Sequence, residues 1–446
     1  MIDLASFSKS LKHKKVAVYG LGLSGLSAVK ALVAANIRVV TDDSNQQQCN
    51  KAKELGAQVA DLESSLDQSF DFLLLSPGVP LTHPEPHAVV KKAHEENVEI
   101  IGDVELLSRS GQMPKTVGIT GTNGKSTTTA LMAHALNENA YRAVAAGNIG
   151  TPVLDLNLDD VDILVLELSS YQLDLCPTYR PDISILLNIT PDHLDRHGDM
   201  EGYIKAKARI LDHANIKIVG VDTKVIKDLS ENSITISGEG HEADIKVFNQ
   251  ILYDSDIKIS DVGHYDRLKG SHNHQNLAAV YAVAKELGIE KKGILKSFET
   301  YQGLPHRQYR VRTINNVDYV NDSKATNVES AARALSSYNH TFWVAGGRSK
   351  EGGLNGLEGY ISHIQKAYLI GEAAEDFAVW CQDNDVEYEI THILNKAIER
   401  AHEDAQDFKK GCVLLAPACA SWDQFRSFEE RGDAFVERVM RFEGSP

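Results

Sequence analysis

The sequence predicts an α/β protein of three domains built on mostly parallel sheets, and three observations predict it. Short apolar runs alternate with amphipathic stretches along almost the whole chain. At 446 residues the chain exceeds what one hydrophobic core organises. Two glycine-rich turns, Gly20–Gly25 and Gly121–Thr127, each follow directly on an apolar run.

The first series of expected strands spans 16–19, 37–40, 72–75 and 99–101. A polar turn at Gly111-Gln112-Met113-Pro114 precedes a second series at 117–120, 163–168 and 183–188. These runs are nearly all apolar, as strands covered on both faces must be. A third series at 317–320, 342–345, 367–370 and 412–416 follows Gly303-Leu304-Pro305. Domain boundaries are therefore expected near 103 and 304, giving 1–103, 104–304 and 305–446. The stretch 229–264 is polar, weakly patterned, and expected to form loops or short strands.

A formal charge of −16 speaks against a general nucleic-acid binder, whose affinity rests on basic surface. Five scattered cysteines without a C-x-x-C pair suggest neither a disulfide framework nor a zinc site. No run approaches the roughly 20 apolar residues of a membrane helix, and no apolar segment follows the basic residues near Lys12 to Lys15. A cytoplasmic enzyme without membrane insertion is expected, a monomer by default.

Gly121-Thr122-Asn123-Gly124-Lys125-Ser126-Thr127 leads from a buried strand into a helix. Backbone N–H groups and the helix dipole at such a point bind phosphate, and Lys125 adds a point charge. Ile119 stands where the generic G-x-x-x-x-G-K-[ST] motif has its first glycine. Gly20-Leu21-Gly22-Leu23-Ser24-Gly25 matches G-x-G-x-x-G, and Asp42 and Asp43 lie about where a ribose-binding acid belongs. The same turn accommodates NAD or any other diphosphate.

Glu167 ends a strand expected beside the phosphate loop, where a buried carboxylate needs either a magnesium ion or a neighbouring hydroxyl such as Ser169 or Ser170. His193, in the loop Thr190 to His197, is open to two readings, a metal ligand or a hydrogen-bonding surface residue. Lys205, Lys207 and Arg209 read as a solvated helix face, and position gives no reason to single out Lys207. In the third series, loops at Asn321–Asn327, Gly346–Lys350 and Pro417–Phe425 leave one sheet edge if the sheet is parallel, which suits a small anionic ligand. Thr326 and Glu329 have capping-box spacing, which leaves Asp322 and Lys324 unexplained.

Taken together and in order, Gly121 to Thr127, Gly147 to Gly150, Glu167 to Gln172, Asp192 to Arg196, His272 to Asn276, Leu304 to Arg307, Asp322 to Asn327 and Ser421 to Phe425 resemble the motifs of the Mur ligases of bacterial cell-wall synthesis. The resemblance covers nearly the whole chain. It implies a Rossmann-like N-terminal domain for a uridine nucleotide, a central P-loop ATPase domain, and a Rossmann-like C-terminal domain for the incoming amino acid. The substrates implied are UDP-N-acetylmuramoyl-L-alanine and D-glutamate, joined through an acyl phosphate with ATP and two Mg²⁺ ions.

By the same resemblance Lys125, Glu167, His193 and Lys207 are catalytic, and Ser126, Glu167, His193 and a carbamylated Lys207 surround the metal. ATP falls to Gly121, Thr122, Asn123, Gly124, Lys125, Ser126, Thr127, Asn273, Asn276, His306, Arg307, Asp322 and Lys324. Gly22, Leu23, Ser24, Asp42, Ser76, Asn148, Ser169 and His193 are expected along the uridine substrate. Thr326, Lys350, Ser421 and Phe428 are expected at D-glutamate. Two departures stand out: Ser44 where many relatives have an arginine near the uracil, and Arg348 where many have an acidic residue.

Among rival readings, the Asp-Asn-Pro-Arg run of diaminopimelate-adding relatives is missing, and Asp322 to Asn327 speaks against a folylpolyglutamate synthase. A nucleotide-regulated binding protein would keep Lys125 but need none of Glu167, His193 and Asp322. A dehydrogenase has no use for a triphosphate loop. The expected outcome of mixing the protein with NADH is therefore no change in nicotinamide fluorescence, and a saturable change would restore the dinucleotide reading.

Overall fold

The computed structural model describes residues 1–212, 214–349 and 352–443, apart from the side chain of Asp266. The chain divides into two compact units, Met1–Tyr301 and Gln302–Pro446. The first unit contains two sheets and the second contains one, each within an α/β domain.

In the N-terminal domain β1 (Lys15–Tyr19), β2 (Arg38–Asp42), β3 (Gln58–Val59), β4 (Leu73–Leu75) and β5 (Ile100–Ile101) form a parallel sheet ordered β3-β2-β1-β4-β5. The winding direction reverses between β1 and β4, and such a switch point opens a crevice at the carboxyl ends of the strands. The Gly20–Gly25 turn follows β1 into the helix Leu23–Ala34 at that crevice.

The central sheet comprises β6 (Lys115–Thr120), β7 (Ala143–Gly147), β8 (Ile163–Glu167), β9 (Ile183–Leu186), β10 (Ile216–Gly220), β11 (Ile234–Ser237), β12 (Ile245–Phe248), β13 (Ile251–Asp254) and β14 (Ile257–Asp261). Its order is β14-β13-β12-β11-β10-β9-β6-β8-β7, parallel except for the β12-β13-β14 meander. The weakly patterned stretch 229–264 thus supplies four strands that extend one edge. Alternation along β8 sends Leu164 and Leu166 into one apolar cluster and Ile163 and Val165 into another. The first cluster also takes in Val16, Val18, Phe72 and Leu74 of the N-terminal sheet, so the two sheets of this unit share a core.

The C-terminal sheet is β15 (Tyr309–Ile314), β16 (Val317–Asn321), β17 (Thr341–Gly346), β18 (Ile364–Ile370), β19 (Tyr388–His392) and β20 (Gly411–Leu415), ordered β15-β16-β20-β17-β18-β19. Only β15 runs antiparallel to its neighbour. Trp343 and Ala345 face one apolar cluster, Phe342 and Val344 the other. Among the described residues all five cysteines are free and buried, and no helix is long and apolar enough to cross a membrane.

A buried carboxylate joins the first two sheets. Glu105, in the helix Asp103–Arg109, has no exposed surface, and its Oε2 accepts the N–H groups of Thr178 at 3.1 Å and Tyr179 at 2.9 Å. Its Oε1 accepts the Thr178 hydroxyl and Arg109 Nε, the latter at 2.7 Å. Glu105→Ala would leave the part-buried Thr178 N–H and the buried Tyr179 N–H without this acceptor and Arg109 with Glu99 alone. Urea unfolding should show a loss of about 2–4 kcal/mol, and Glu105→Gln, which keeps one acceptor oxygen, a smaller one.

Candidate active site

The phosphate loop leaves β6 and enters the helix Lys125–Glu138 through Gly124, whose φ of +84° is left-handed. A side chain there would be strained, and its Cβ would meet Asn276 Oδ1 at 2.4 Å. Asn276 is buried on the helix Ser271–Glu286, accepts from Thr128 Oγ1 at 3.0 Å, and donates to Asn273 one turn earlier at 3.2 Å. The structure therefore brings Asn276 to the loop, and Asn273 to Asn276.

Lys125 Nζ curls back onto the carbonyls of Gly121 and Thr122, at 2.8 and 2.9 Å. Lys207 Nζ donates to the same Gly121 carbonyl at 2.8 Å and lies 4.8 Å from the Tyr203 ring centroid. Lys207 is only 2% exposed, which contradicts the reading of Lys205, Lys207 and Arg209 as one solvated face. Tyr203, Ala206 and Lys207 form the buried stripe of the helix Met200–Ala208, so the missed signal was a lysine spaced i+4 from Tyr203. Burial pushes the Lys207 ammonium well below the usual lysine range, Lys125 adds to the shift, and Asp192 and Glu167 oppose it.

Glu167 ends β8 opposite Ile119 of β6, one strand from the loop, and is 1% exposed. Its Oε1 accepts Asn148 Nδ2 at 3.0 Å, whereas its buried Oε2 has no hydrogen-bond partner. The hydroxyl alternative fails: Ser169 Oγ is engaged with Gln172 in a capping box, and Ser170 Oγ pairs with His197 at 2.9 Å. An orphaned carboxylate oxygen in a buried site fits a divalent cation.

His193 has φ +53° and side-chain exposure of 50%, its ring 5.2 Å from that of Tyr171. Desolvation, with Lys207 and Lys125, holds its pKa below the ordinary value against the pull of Asp192, leaving a neutral imidazole able to coordinate. His197 behind it is buried, stacks on Tyr171 at 5.4 Å and is pushed down to about 4, chiefly by burial.

In the N-terminal crevice Gly25 admits no side chain, because a Cβ would stand 2.0 Å from the Gly20 carbonyl oxygen. Ser76 Oγ donates to that carbonyl at 2.7 Å, Gly22 borders open space and Leu23 is 79% exposed. Ser24 bonds the buried Asp103. Of the acidic pair, the Asp43 carboxylate takes the Leu21 N–H at 2.5 Å, while the Asp42 carboxylate accepts from Asp43 and Leu62. Asp42 meets the glycine turn through its carbonyl, which accepts the Gly20 N–H at 3.2 Å. Ser44 is exposed.

In the C-terminal unit the three polar loops leave the adjacent parallel strands β16, β20 and β17. They are laced together by Asp322 N–H to Leu415 O, Gly346 N–H to Pro417 O, and Arg348 N–H to Ala420 O, all 2.8–2.9 Å. His306 bonds Asn321 at 3.0 Å and its carbonyl accepts the Lys324 N–H at 2.9 Å. Lys324 Nζ stands 4.0 Å from the Phe428 ring centroid, and Ser421 is buried. Arg348 pairs with Glu372 at 3.1 Å, and Lys350 lies outside the described residues. The cap of the helix Val328–Ser336 is Asn327, which accepts the Ser330 N–H at 2.8 Å, so the Thr326–Glu329 capping box is not used.

Arg431 was not singled out by sequence. It is 1% exposed, donates to Ser323 Oγ and O at 2.9 Å and to Cys419 O at 3.1 Å, and so ties two of the loops. Burial pushes it down to about 10.

The glycine-rich loop after β6 thus stands beside a buried lysine and a buried carboxylate with one unpartnered oxygen, an arrangement that suits a nucleotide triphosphate, and comparison with known proteins supplies the family. The Mur ligase middle domain matches residues 119–284, and the MurD-like N-terminal domain of Mur ligases matches residues 14–102. The chain belongs to the Mur ligase family. It is 44% identical to the UDP-N-acetylmuramoylalanine--D-glutamate ligase of Rhizobium meliloti, covering 100% of this chain and 99% of that one. Its identity to the ligase of the same name from Caulobacter vibrioides is 42%, covering 97% and 96%. Among solved structures it shares its fold with the UDP-N-acetylmuramate-alanine ligase MurC of Thermotoga maritima, at a TM-score of 0.60, 16% identity and coverage of 96% and 99%. It likewise resembles MurF ligase of Thermotoga maritima in complex with ADP, at a TM-score of 0.57, 18% identity and coverage of 95% and 98%.

Burial pushes the Asp322 carboxyl up to about 7 from 3.8, against the lowering influence of Arg307. Between those values the folded state binds a proton the unfolded state has released, so this group makes stability fall as pH rises from 3.8 to 7. Asp322→Asn removes that slope. All three tryptophans, Trp343, Trp380 and Trp422, lie in the C-terminal unit, so their fluorescence reports its unfolding. In urea titrations the Asn variant should gain on the wild type between pH 4 and pH 7.5; a parallel pH dependence would contradict the assignment.

Proposed function

We propose that this chain is an ATP-dependent ligase that joins D-glutamate to UDP-N-acetylmuramoyl-L-alanine during peptidoglycan precursor synthesis. The reading is carried by the end-to-end match to relatives bearing that name, at 41–44% identity.

In this reading residues 1–103 take the uridine nucleotide, 104–304 take ATP, and 305–446 take D-glutamate. Gly22, Leu23, Ser24, Asp42 and Ser76 line the uridine side. Asn148, Ser169 and His193 face the muramoyl-alanine end. The loop Gly121–Thr127 and the Lys125 side chain hold the ATP phosphates, supported by Asn273 and Asn276, and the family resemblance assigns His306, Arg307, Asp322 and Lys324 to the nucleotide as well. Thr326, Lys350, Ser421 and Phe428 hold D-glutamate.

The alanine carboxylate attacks the γ-phosphorus of ATP, the bond to the bridging oxygen breaks, and ADP leaves. The amine of D-glutamate then attacks the acyl carbon, phosphate departs with the electron pair, and the amine loses a proton. Ser126, Glu167, His193 and carbamylated Lys207 would hold two Mg²⁺ ions, which when bound offset the charge on the phosphates. Because its pKa is depressed, the Lys207 amine is available unprotonated to attack carbon dioxide, forming a carbamate and releasing a proton. That converts a buried cation into a carboxylate-like ligand. The enzyme acts in the cytoplasm as a monomer.

Phosphate release should require ATP, Mg²⁺, UDP-N-acetylmuramoyl-L-alanine and D-glutamate together, and equal turnover with L-glutamate would overturn the reading. Lys207→Ala should lose most activity, on the order of 10²-fold or more, and regain part of it with an added short carboxylic acid. An unimpaired Ala variant would remove the carbamate.

A further inference from the structure

We infer that Asp222 and Gln275 are positioning residues for the phosphate loop, acting through Asn188 by a relay of hydrogen-bond polarity. The inference rests on the nucleotide reading of that loop. None of the three belongs to the loop itself, and they come from the segments after β10 and β9 and from the helix Ser271–Glu286.

Asn188 grips the loop at three points. Its carbonyl accepts the Thr122 N–H at 2.8 Å, its Oδ1 accepts the Asn123 N–H at 2.9 Å, and its Nδ2 donates to the Asn123 carbonyl at 3.2 Å. The side-chain contacts work only in one orientation of the amide, since the flipped amide would set Nδ2 against the Asn123 N–H. That orientation is selected by Gln275, whose Oε1 accepts Asn188 Nδ2 at 2.9 Å.

The Gln275 amide could itself turn over, and Asp222 prevents it. Gln275 is 4% exposed, and its Nε2 donates to Asp222 Oδ2 at 2.7 Å. An ionised carboxylate only accepts, so the flipped amide would bring two acceptors together. Asp222 is in turn committed as an acceptor. Oδ2 also takes the Gly238 N–H at 2.8 Å, and Oδ1 takes the Ser237 hydroxyl at 2.5 Å. Ser237 Oγ already accepts from the N–H groups of Glu239 at 3.2 Å and His241 at 2.9 Å, so its proton must point to Asp222. Every hydrogen bond this carboxylate makes is one it accepts, although the Glu239 carboxylate and the His241 ring stand within 4.8 Å of it. An alanine at 222 would remove the acceptor that holds the Gln275 amide, and the freedom would pass through Gln275 and Asn188 to Asn123.

The relay runs from a part-buried carboxylate to the backbone that shapes the phosphate loop, and its effect should be confined to nucleotide. The test is calorimetric titration of the full chain with ADP and Mg²⁺, alongside KM for ATP, the uridine substrate and D-glutamate. Asp222→Ala and Gln275→Met should each weaken ADP and raise KM for ATP about tenfold, with the other two KM values within about twofold. Gln275→Met, close in volume, serves if Asp222→Ala fails to fold. Equal weakening of all three substrates would assign these residues to general stability and overturn the inference. Wild type that binds ADP beside a folded Gln275→Met variant that binds it equally would overturn the relay alone. Wild type that binds no ADP would overturn the nucleotide reading, and the relay with it.

Discussion

Two lysine ammonium groups, those of Lys125 and Lys207, donate to one carbonyl oxygen, that of Gly121, and much of the central domain is arranged to make this possible. The loop turns the N–H groups of Thr122 and Asn123 onto Asn188, and the Gly121 carbonyl accepts from both lysines. One lysine comes from the helix that follows the loop, the other from a helix more than eighty residues further along. Two like charges this close are tolerable only with loss of a proton from one of them or with counter-charge nearby. Burial lowers the Lys207 pKa, while Glu167 and Asp192 pull it back. In a chain of charge −16, a site for anionic ligands needs such local concentration of positive charge.

The same strand order that gathers the lysines strands a carboxylate oxygen. β6 lies between β8 and β9, so Glu167 at the end of β8 and Asn188 just after β9 flank the loop on opposite sides. On one side the loop meets a carboxylate with one oxygen unpartnered among the described residues. On the other its peptide units are clamped by an amide whose orientation is dictated from Asp222. The C-terminal sheet uses a related device. β20 inserts between β16 and β17, bringing three loops to one edge, and the buried Arg431 ties two of them together.

Much of this was legible in the sequence because strand runs and glycine turns are local signals. The phosphate loop, the N-terminal glycine turn and the three loops of the C-terminal sheet could be named from residue type and spacing. Lys207 could not, because helical spacing alone does not say which face of a helix is covered. Its neighbours Lys205 and Arg209 made the bland reading attractive, and apart from the family resemblance only the companionship of Tyr203 hinted otherwise. Asp42 and Asp43 were indistinguishable for a similar reason: adjacent residues at a strand end point to different sides, and the chain must be folded before one of them meets Leu21. The Thr326–Glu329 spacing satisfied a capping rule that Asn327, one position later, satisfies in its place.

The sequence by itself determined the class of fold, the order of its elements and the chemical types available at each strand end, since these follow from apolar periodicity and from backbone conformations that only certain residues adopt. Tertiary structure decided which charges are buried, which oxygen is left without a donor and which way each amide faces. Those properties depend on what stands across a gap from residues distant in the chain, as Gln275 stands across from Asn188 and Asp222. Solvation and hydrogen-bond partnership are set by neighbours in space, and no spacing along the chain encodes them.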